Sequence, residues 1–384
     1  MSRWEKVRLG DVATVISGST PKTNETSYWG GDINWVTPAE IADDTVYIYE
    51  TQRKITEKAV VEGSMRLIPE GTVLLTSRAP IGKVAIAGTD MYCNQGFKNL
   101  LCSDEIHNKY LYWFLKGKND YLNSLGRGAT FKEISKVIVE DIQVPLPTKN
   151  DQILIAREFD AVSELIALQK RQLQELNQLI KSVFYEMFGD PITNDRGWEF
   201  KSFEQIGTIS NGGTPSRSNK SFYNGDINWF SAGELNSRYL IESKEKITTA
   251  ALESSSAKLF EENSMLIGMY DTAAFKLGIL TKKSSCNQAC ANIAVNKDLV
   301  NIEWLYDCCI LMRNHFLTNR RGVRQKNLTL GMIKSFLLPV PPLSLQNQYA
   351  DIVSQIESQK SLVKQSIDDT QRLFDSLMSK YFDD

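Results

Sequence analysis

The sequence predicts an α+β chain built twice: two tandem-repeat globular α+β domains, each followed by a long helix, with the two helices pairing as an antiparallel coiled coil of pseudo-twofold symmetry. Three observations lead there. With a fixed offset of 194, Trp4–Glu40 matches Trp198–Glu234 at 13 of 37 positions without a gap. Two segments carry apolar residues at alternating steps of three and four. The rest mixes short β-type runs with Gly, Pro and Asn turns. At 384 residues the chain is also too long for one ordinary core.

The first domain is expected over residues 1–148. Its shared positions include Trp4, Gly18-x-Thr20-Pro21 and Gly31-Asp32-Ile33-Asn34-Trp35, which face Trp198, Gly212-x-Thr214-Pro215 and Gly225-Asp226-Ile227-Asn228-Trp229. Strands are expected near Thr72–Thr76 and Val84–Ala87, and a short helix near Tyr110–Leu115. Further matches set Cys93-Asn94-Gln95 against Cys286-Asn287-Gln288, Gly128 against Gly322, Lys132 against Lys326, and Val144-Pro145 with Gln152 against Val340-Pro341 with Gln348.

Residues 149–194 read as the first long helix. From Phe159 the seam runs Val162, Ile166, Gln169, Leu173, Leu176, Ile180, Val183, Met187. The second domain follows over 195–343, and the second helix over 344–384 repeats the register with Tyr349, Val353, Ile356, Lys360, Val363, Ile367, Thr370, Phe374, Leu377 and Tyr381. Two seam positions per heptad fit a helix packed on a helix better than one lying on a sheet. The simpler alternative is that each helix packs on its own domain. A pair of about 38 residues would be on the order of 57 Å long, which suggests a dumb-bell.

The formal charge of −2 conceals an uneven distribution. Residues 150–194 and 344–384 each carry 4 Lys/Arg and 7 Asp/Glu, whereas 195–343 carry 18 and 14. The globular parts are therefore neutral to basic. Six cysteines fit reduced, buried thiols, because no C-x-x-C pair occurs and only His107 and His315 are available for zinc. No leader-like start and no long apolar run is present, so a cytoplasmic chain is expected.

Each half passes through G-x-T-P, G-D-I-N-W and N-Q; the first adds an L-G-D-V line (Leu9–Val12) and an S-R-x-x-I-G line (Ser77–Gly82), and closes with V-P-L-P before a helix with an early Gln. In this order, and duplicated, the chain resembles the DNA-specificity (S) subunit of type I restriction-modification systems along nearly its whole length. The second half departs from the pattern: Tyr270-Asp271-Thr272 stands for Ser77-Arg78, and Phe203-Glu204 for Leu9-Gly10. The resemblance implies a non-catalytic subunit with one target-recognition domain per half of a bipartite, asymmetric DNA site. It implies two methyltransferase (M) subunits docked on the helices, and restriction (R) subunits as further partners. No cofactor is expected here; S-adenosylmethionine belongs to the methyltransferase. Helix length would then set the spacing of half-sites.

Residues identical in both copies cannot alone make two half-sites different, so GDINW reads as scaffold, and Asn94-Gln95 with Asn287-Gln288 as shared structural or phosphate-side bonds. Base and phosphate contacts are sought among polar residues on loops that differ between copies, since Arg suits guanine, Asn or Gln adenine, and Lys or Arg phosphate. The DNA-binding candidates are Thr20, Lys22, Thr23, Arg78, Lys98, Arg127, Thr130 and Lys132 in the first domain. In the second they are Thr214, Ser216, Arg217, Lys276, Arg320, Arg321, Arg324, Gln325 and Lys326.

Two other readings compete. For an enzyme, no adenine-methyltransferase, G-x-G-x-x-G or Walker motif occurs, and the two histidines are unmatched. Glu242-Ser243-Lys244 has nuclease-like spacing without an evident paired Asp. The remaining alternative is a coiled-coil scaffold binding proteins rather than DNA, which salt dependence of DNA binding would discriminate.

Overall fold

The computed structural model describes residues 4–128, 132–318 and 327–383. Its contacts divide the chain into two compact units, Met1–Lys170 with Gln365–Asp384, and Arg171–Lys364. Each unit thus contains one globular domain and a part of each long helix, Lys149–Phe188 and Leu343–Phe382.

In the first unit a five-stranded sheet has the order Ala13–Ser17, Lys98–Cys102, Val73–Leu75, Val84–Ala87, Tyr47–Ile48. A second sheet sets Trp29–Val36 between Lys54–Ile55 and Tyr92–Cys93. Lys6–Arg8 pairs with Gln143–Pro145 and closes the domain. The strand residues Val73, Leu74, Leu75 and Val84 to Ala87 are all buried, because the larger sheet is covered on both faces. One face packs on the helix Asn108–Gly117, whose residues from Tyr110 to Leu115 are all buried, while Leu74, Ala85 and Ala87 turn to a separate cluster with Val36, Ile48 and Phe97.

The second unit repeats this plan: Gly207–Asn211, Cys290–Val295, Met265–Gly268, Leu277–Leu280 and Tyr239–Leu240 form the larger sheet. Ile227–Phe230 lies between Glu245–Ile247 and Ser285–Cys286, and Glu199–Ser202 pairs with Leu337–Val340. The mixed α+β repeat read from the sequence is therefore observed.

The long helices pair antiparallel within each unit. In the first, Phe159 meets Phe374 at 5.4 Å and Phe382 at 5.5 Å, whereas Gln169 further along reaches back to Ser366 and Thr370. In the second, Phe184 and Phe188 pack on Tyr349 at 5.6 and 5.3 Å. Trp113 stacks on Phe159 at 5.6 Å, so helix and domain share one core. Each large apolar side chain buried this way contributes about 1.5–3 kcal/mol.

The seam shifts near the end of the first helix. Val183 and Met187 are only half-buried, while Phe184 and Phe188 are buried. An undistorted helix drifts by about 20° per heptad against a 3.5-residue repeat, so the inward face moves one position on. The aromatic residues of the globular domain, Trp304 among them, widen it there.

Two sequence pairings need correction. The buried amide of Gln152 donates to the carbonyls of Glu105 and Pro147 and accepts from the His107 amide; Gln346 does the same with Leu299, Pro341 and Asn301. Gln152 therefore corresponds to Gln346, not Gln348, and Pro147 to Pro341. Ser77 donates its amide to the Gly96 carbonyl and Met269 its amide to that of Ala289, so Ser77-Arg78 corresponds to Met269-Tyr270 rather than to Tyr270-Asp271-Thr272. The recurring Val-Pro dipeptide misled the first pairing, which keeps the offset of 194, and a loop-length difference of two residues hid the second.

Candidate nucleic-acid interface

The repeated phrase is built into the frame. A Cβ on Gly18 or Gly212 would strike the carbonyl oxygen of Asn94 or Asn287, and one on Gly31 or Gly225 that of Ile55 or Ile247. The indole of Trp35 donates to the Ser19 carbonyl at 3.1 Å, and that of Trp229 to the Gly213 carbonyl at 2.9 Å. Asn34 donates to Tyr49 at 3.1 Å while accepting from the Thr51 amide at 3.2 Å, and Asn228 treats Ile241 and Ser243 in the same way. Each tryptophan thus pins the G-x-T-P turn, and each asparagine ties the next strand.

Thr20 and Thr214 belong to that turn. Their hydroxyls donate to Gln95 Oε1 and Gln288 Oε1, and Asn94 and Asn287 accept the amides of Gly96 and Ala289. The recurrence of Asn-Gln is explained by these bonds. Lys22, Thr23 and Ser216 are exposed on the turn.

The structure brings Arg78, Lys98, Arg127 and Lys132 together. Backbone bonds between Arg127 and Glu133, 3.0 Å in each direction, close a loop whose next residue, Ile134, donates to the Ser77 carbonyl. Glu133 lies 3.2 Å from Lys98 and 3.9 Å from Arg78. Arg127 and Lys132 are exposed. Lys98 departs from expectation: it opens a strand, not a loop, is 7% exposed, and spends its ammonium on Glu133 and Ser77. A buried ammonium needs such a partner, which takes it off the accessible surface. Thr130 lies outside the described residues, as do Arg320, Arg321, Arg324, Gln325 and Lys326.

In the second unit the positions of Arg78, Lys98 and Glu133 are taken by Tyr270, Ala291 and Asn327, so among the described residues these three charges have no charged equivalent there. Lys276 is half-buried and donates to Asn236 Oδ1 at 2.8 Å; it corresponds to Lys83. Arg217 forms a two-pronged pair with Glu245 at 2.6 and 2.9 Å and stacks on Tyr223 and Trp229.

The candidates omit Arg53, an exposed guanidinium 4.2 Å from the Trp29 ring centre and 5.1 Å from that of Trp35. Strand register sets Arg53 opposite Trp35 as it sets Glu245 opposite Trp229, an equivalence the sequence alone did not offer. It was obscured because this stretch is offset by 192 rather than 194.

Other chemistry finds little support in the geometry. Glu242 is held by Lys246 and Lys282 at 2.8 and 2.6 Å, and these bonds lower its carboxyl to about 2. Lys244 gives its amide to Glu234 Oε1. Among the described residues no group of three or more His, Cys, Asp or Glu could hold a metal, and no helix is long and apolar enough to cross a membrane.

Two repeated α+β domains, each with antiparallel helix segments and with unlike polar clusters on a like frame, define the class of specificity subunits. The chain belongs to this family: the model described as type I restriction modification DNA specificity domain matches residues 1–178 and 195–370. It is similar to the type I restriction enzyme MjaIX specificity subunit of Methanocaldococcus jannaschii, with 30% identity over 377 residues, 91% of this chain and 86% of that one. The EcoR124I/EcoR124II specificity subunit of Escherichia coli is 26% identical over 168 residues, 41% of each chain. Among solved structures, the S subunit of a type I restriction-modification system from M. genitalium matches with a TM-score of 0.61 and 14% identity, covering 100% of this chain and 97% of that one. A chain from work on complex assembly and conformational transition of the type I R-M system gives 0.65 and 17%, covering 99% and 97%. These two likenesses concern the fold.

Proposed function

We propose that the chain is the non-catalytic reader of a cytoplasmic type I methyltransferase or restriction complex, with each globular domain recognising one half of a bipartite, asymmetric DNA target. The observation that carries this is divergence on a common frame: Arg78, Lys98 and Glu133 in one copy against Tyr270, Ala291 and Asn327 in the other, while the Trp, Asn and Gln bonds of the frame recur. A frame that is kept while its polar surface changes suits two different half-sites. DNA contact in the first domain is assigned to Lys22, Thr23, Arg78, Arg127 and Lys132, and in the second to Lys276 and the basic run from Arg320 to Lys326, Arg217 being paired with Glu245.

Two copies of one methyltransferase subunit are expected to dock on the helices. Leu168 and Leu362 share one register position, and Leu179 and Leu373 another; all four are exposed, at 49, 67, 45 and 50%. Exposed leucines repeated at matched positions suit two identical partners. S-adenosylmethionine and the methyl transfer belong to those partners, and restriction subunits would join the same assembly.

The test is modified-base sequencing of DNA from cells expressing the chain with its methyltransferase, compared with cells in which residues 1–148 are exchanged for another such domain. A bipartite adenine-methylation motif that changes in one half only is expected. Methylation indifferent to the exchange, with an active methyltransferase, would favour a scaffold that does not read DNA.

A further inference from the structure

The repeated tryptophan of each copy carries a guanidinium over its ring, but the two arrive from different places. Over Trp29 and Trp35 it is Arg53, which stands just before the strand Lys54–Ile55 and whose carbonyl accepts the Trp35 amide. Over Tyr223 and Trp229 it is Arg217, from the G-x-T-P turn, 4.5 and 5.0 Å from the ring centres. At the position of Arg53 the second copy has Glu245, and at the position of Arg217 the first has Thr23. The aromatic shelf is thus the same object with inverted charge on its facing strand.

The consequence is electrostatic. Both oxygens of Glu245 are occupied by Arg217, which leaves the second shelf neutral. Among the described residues no carboxylate pairs with Arg53, so the first shelf keeps its charge. Lys58 adds to it, 5.8 Å from the Tyr28 ring centre and bonded to Ser27 at 3.2 Å, as does the exposed Lys22 on the turn. Of the nearby carboxylates, Glu62 accepts the Tyr28 hydroxyl, and Glu25, which accepts from Ser27, keeps its charge and offsets Lys58 and Lys22 in part; neither pairs with Arg53. Stacking on Trp29 holds the guanidinium plane and removes part of the ordering cost that a free arginine would meet on binding.

We propose that Arg53, held on Trp29, contacts a DNA backbone phosphate in the half-site of the first domain, and that Glu245 denies the equivalent phosphate contact to Arg217 in the second. This rests on the reading of the chain as a DNA-specificity subunit. It makes the two half-sites unequal in electrostatic grip as well as in sequence. The ligand chemistry is a phosphodiester because a lone exposed guanidinium on an aromatic plane supplies paired N–H donors and positive charge, the combination phosphate takes.

Salt titration of DNA binding tests it, using the full chain assembled with its methyltransferase subunits and a fluorescent duplex carrying the methylated motif. Arg53→Gln is expected to reduce the slope of log affinity against log salt by about 0.9 and to weaken binding about fivefold near 0.15 M salt, the effect of one released counterion. Arg53→Lys is expected to retain the slope, and Glu245→Gln, by freeing Arg217, to steepen it by about 0.9. A wild-type slope in Arg53→Gln overturns the phosphate contact and leaves Arg53 a structural cap on Trp29. An unchanged slope in Glu245→Gln overturns the masking role. Salt-independent binding by the wild-type complex would overturn the functional reading beneath both.

Discussion

Arg238 Nη2 lies 2.5 Å from Asp307 Oδ1, and the other oxygen of Asp307 accepts the Tyr349 hydroxyl at 2.8 Å. A loop before a strand, a domain helix and the long helix Leu343–Phe382 are thereby joined through one carboxylate. Glu303 at 2.9 Å and Glu357 at 3.2 Å complete the cage, and Tyr306 stacks on the guanidinium. Burial opposes the arginine's charge, but Asp307, Glu303 and Glu357 outweigh it and raise its pKa. The first unit fastens the same place differently: Trp113, at the position of Asp307, donates its indole to Asp160 Oδ1 at 3.0 Å.

Removing the cation from that cage leaves several carboxylates confined together. Arg238→Ala is expected to destabilise the chain by about 3–5 kcal/mol, as when one partner of a buried ion pair is deleted. Urea unfolding of the variant measures it. A loss below 1 kcal/mol would mean that water enters and replaces the arginine.

Gln152 and Gln346 predict a matched pair of losses. Each is fully buried and satisfies one backbone amide and two carbonyls at the entry to a long helix. Truncation to alanine leaves those groups without partners, at about 1–3 kcal/mol for the buried amide alone. The two variants should lose similar stability in thermal unfolding, and a large inequality would show that the two junctions are not energetically equivalent.

The thiols yield a prediction about pH. Burial pushes Cys93 and Cys102 up to about 12 and raises Cys286, Cys308 and Cys309 as well. Iodoacetamide at pH 8 should label the folded chain slowly and the urea-unfolded chain at all six cysteines. Between about pH 9 and 12 Cys93, Cys102, Cys286, Cys308 and Cys309 ionise in the unfolded chain while in the folded chain they keep their protons. The native state then binds more protons, so stability falls as pH rises through that window and is unaffected by these groups below it. Fast labelling of Cys102 in the native chain would contradict this.

Exposed leucines on the helices can be separated from the core. Leu168→Glu combined with Leu362→Glu should alter stability by no more than about 0.5 kcal/mol per site, because neither side chain is buried. Loss of methyltransferase co-purification with unchanged melting is the expected result. Full retention of the partner would remove these residues from the docking surface.

Much of this molecule is legible without coordinates. The offset of 194 sets two like domains, the alternation of three and four residues sets two paired helices, and recurrence of GDINW marks the frame, because steric needs at Gly31 and Gly225 and the Trp bonds to the G-x-T-P turn are local and therefore repeat with the sequence. Which charges survive at the surface was decided by tertiary structure. Lys98 reads like a free cation until Glu133, distant in sequence, is folded onto it, and Arg53 and Glu245 become equivalent only through strand register across loops of unequal length. Ion pairing depends on distances of a few ångströms between remote segments, and no periodicity in a chain encodes those.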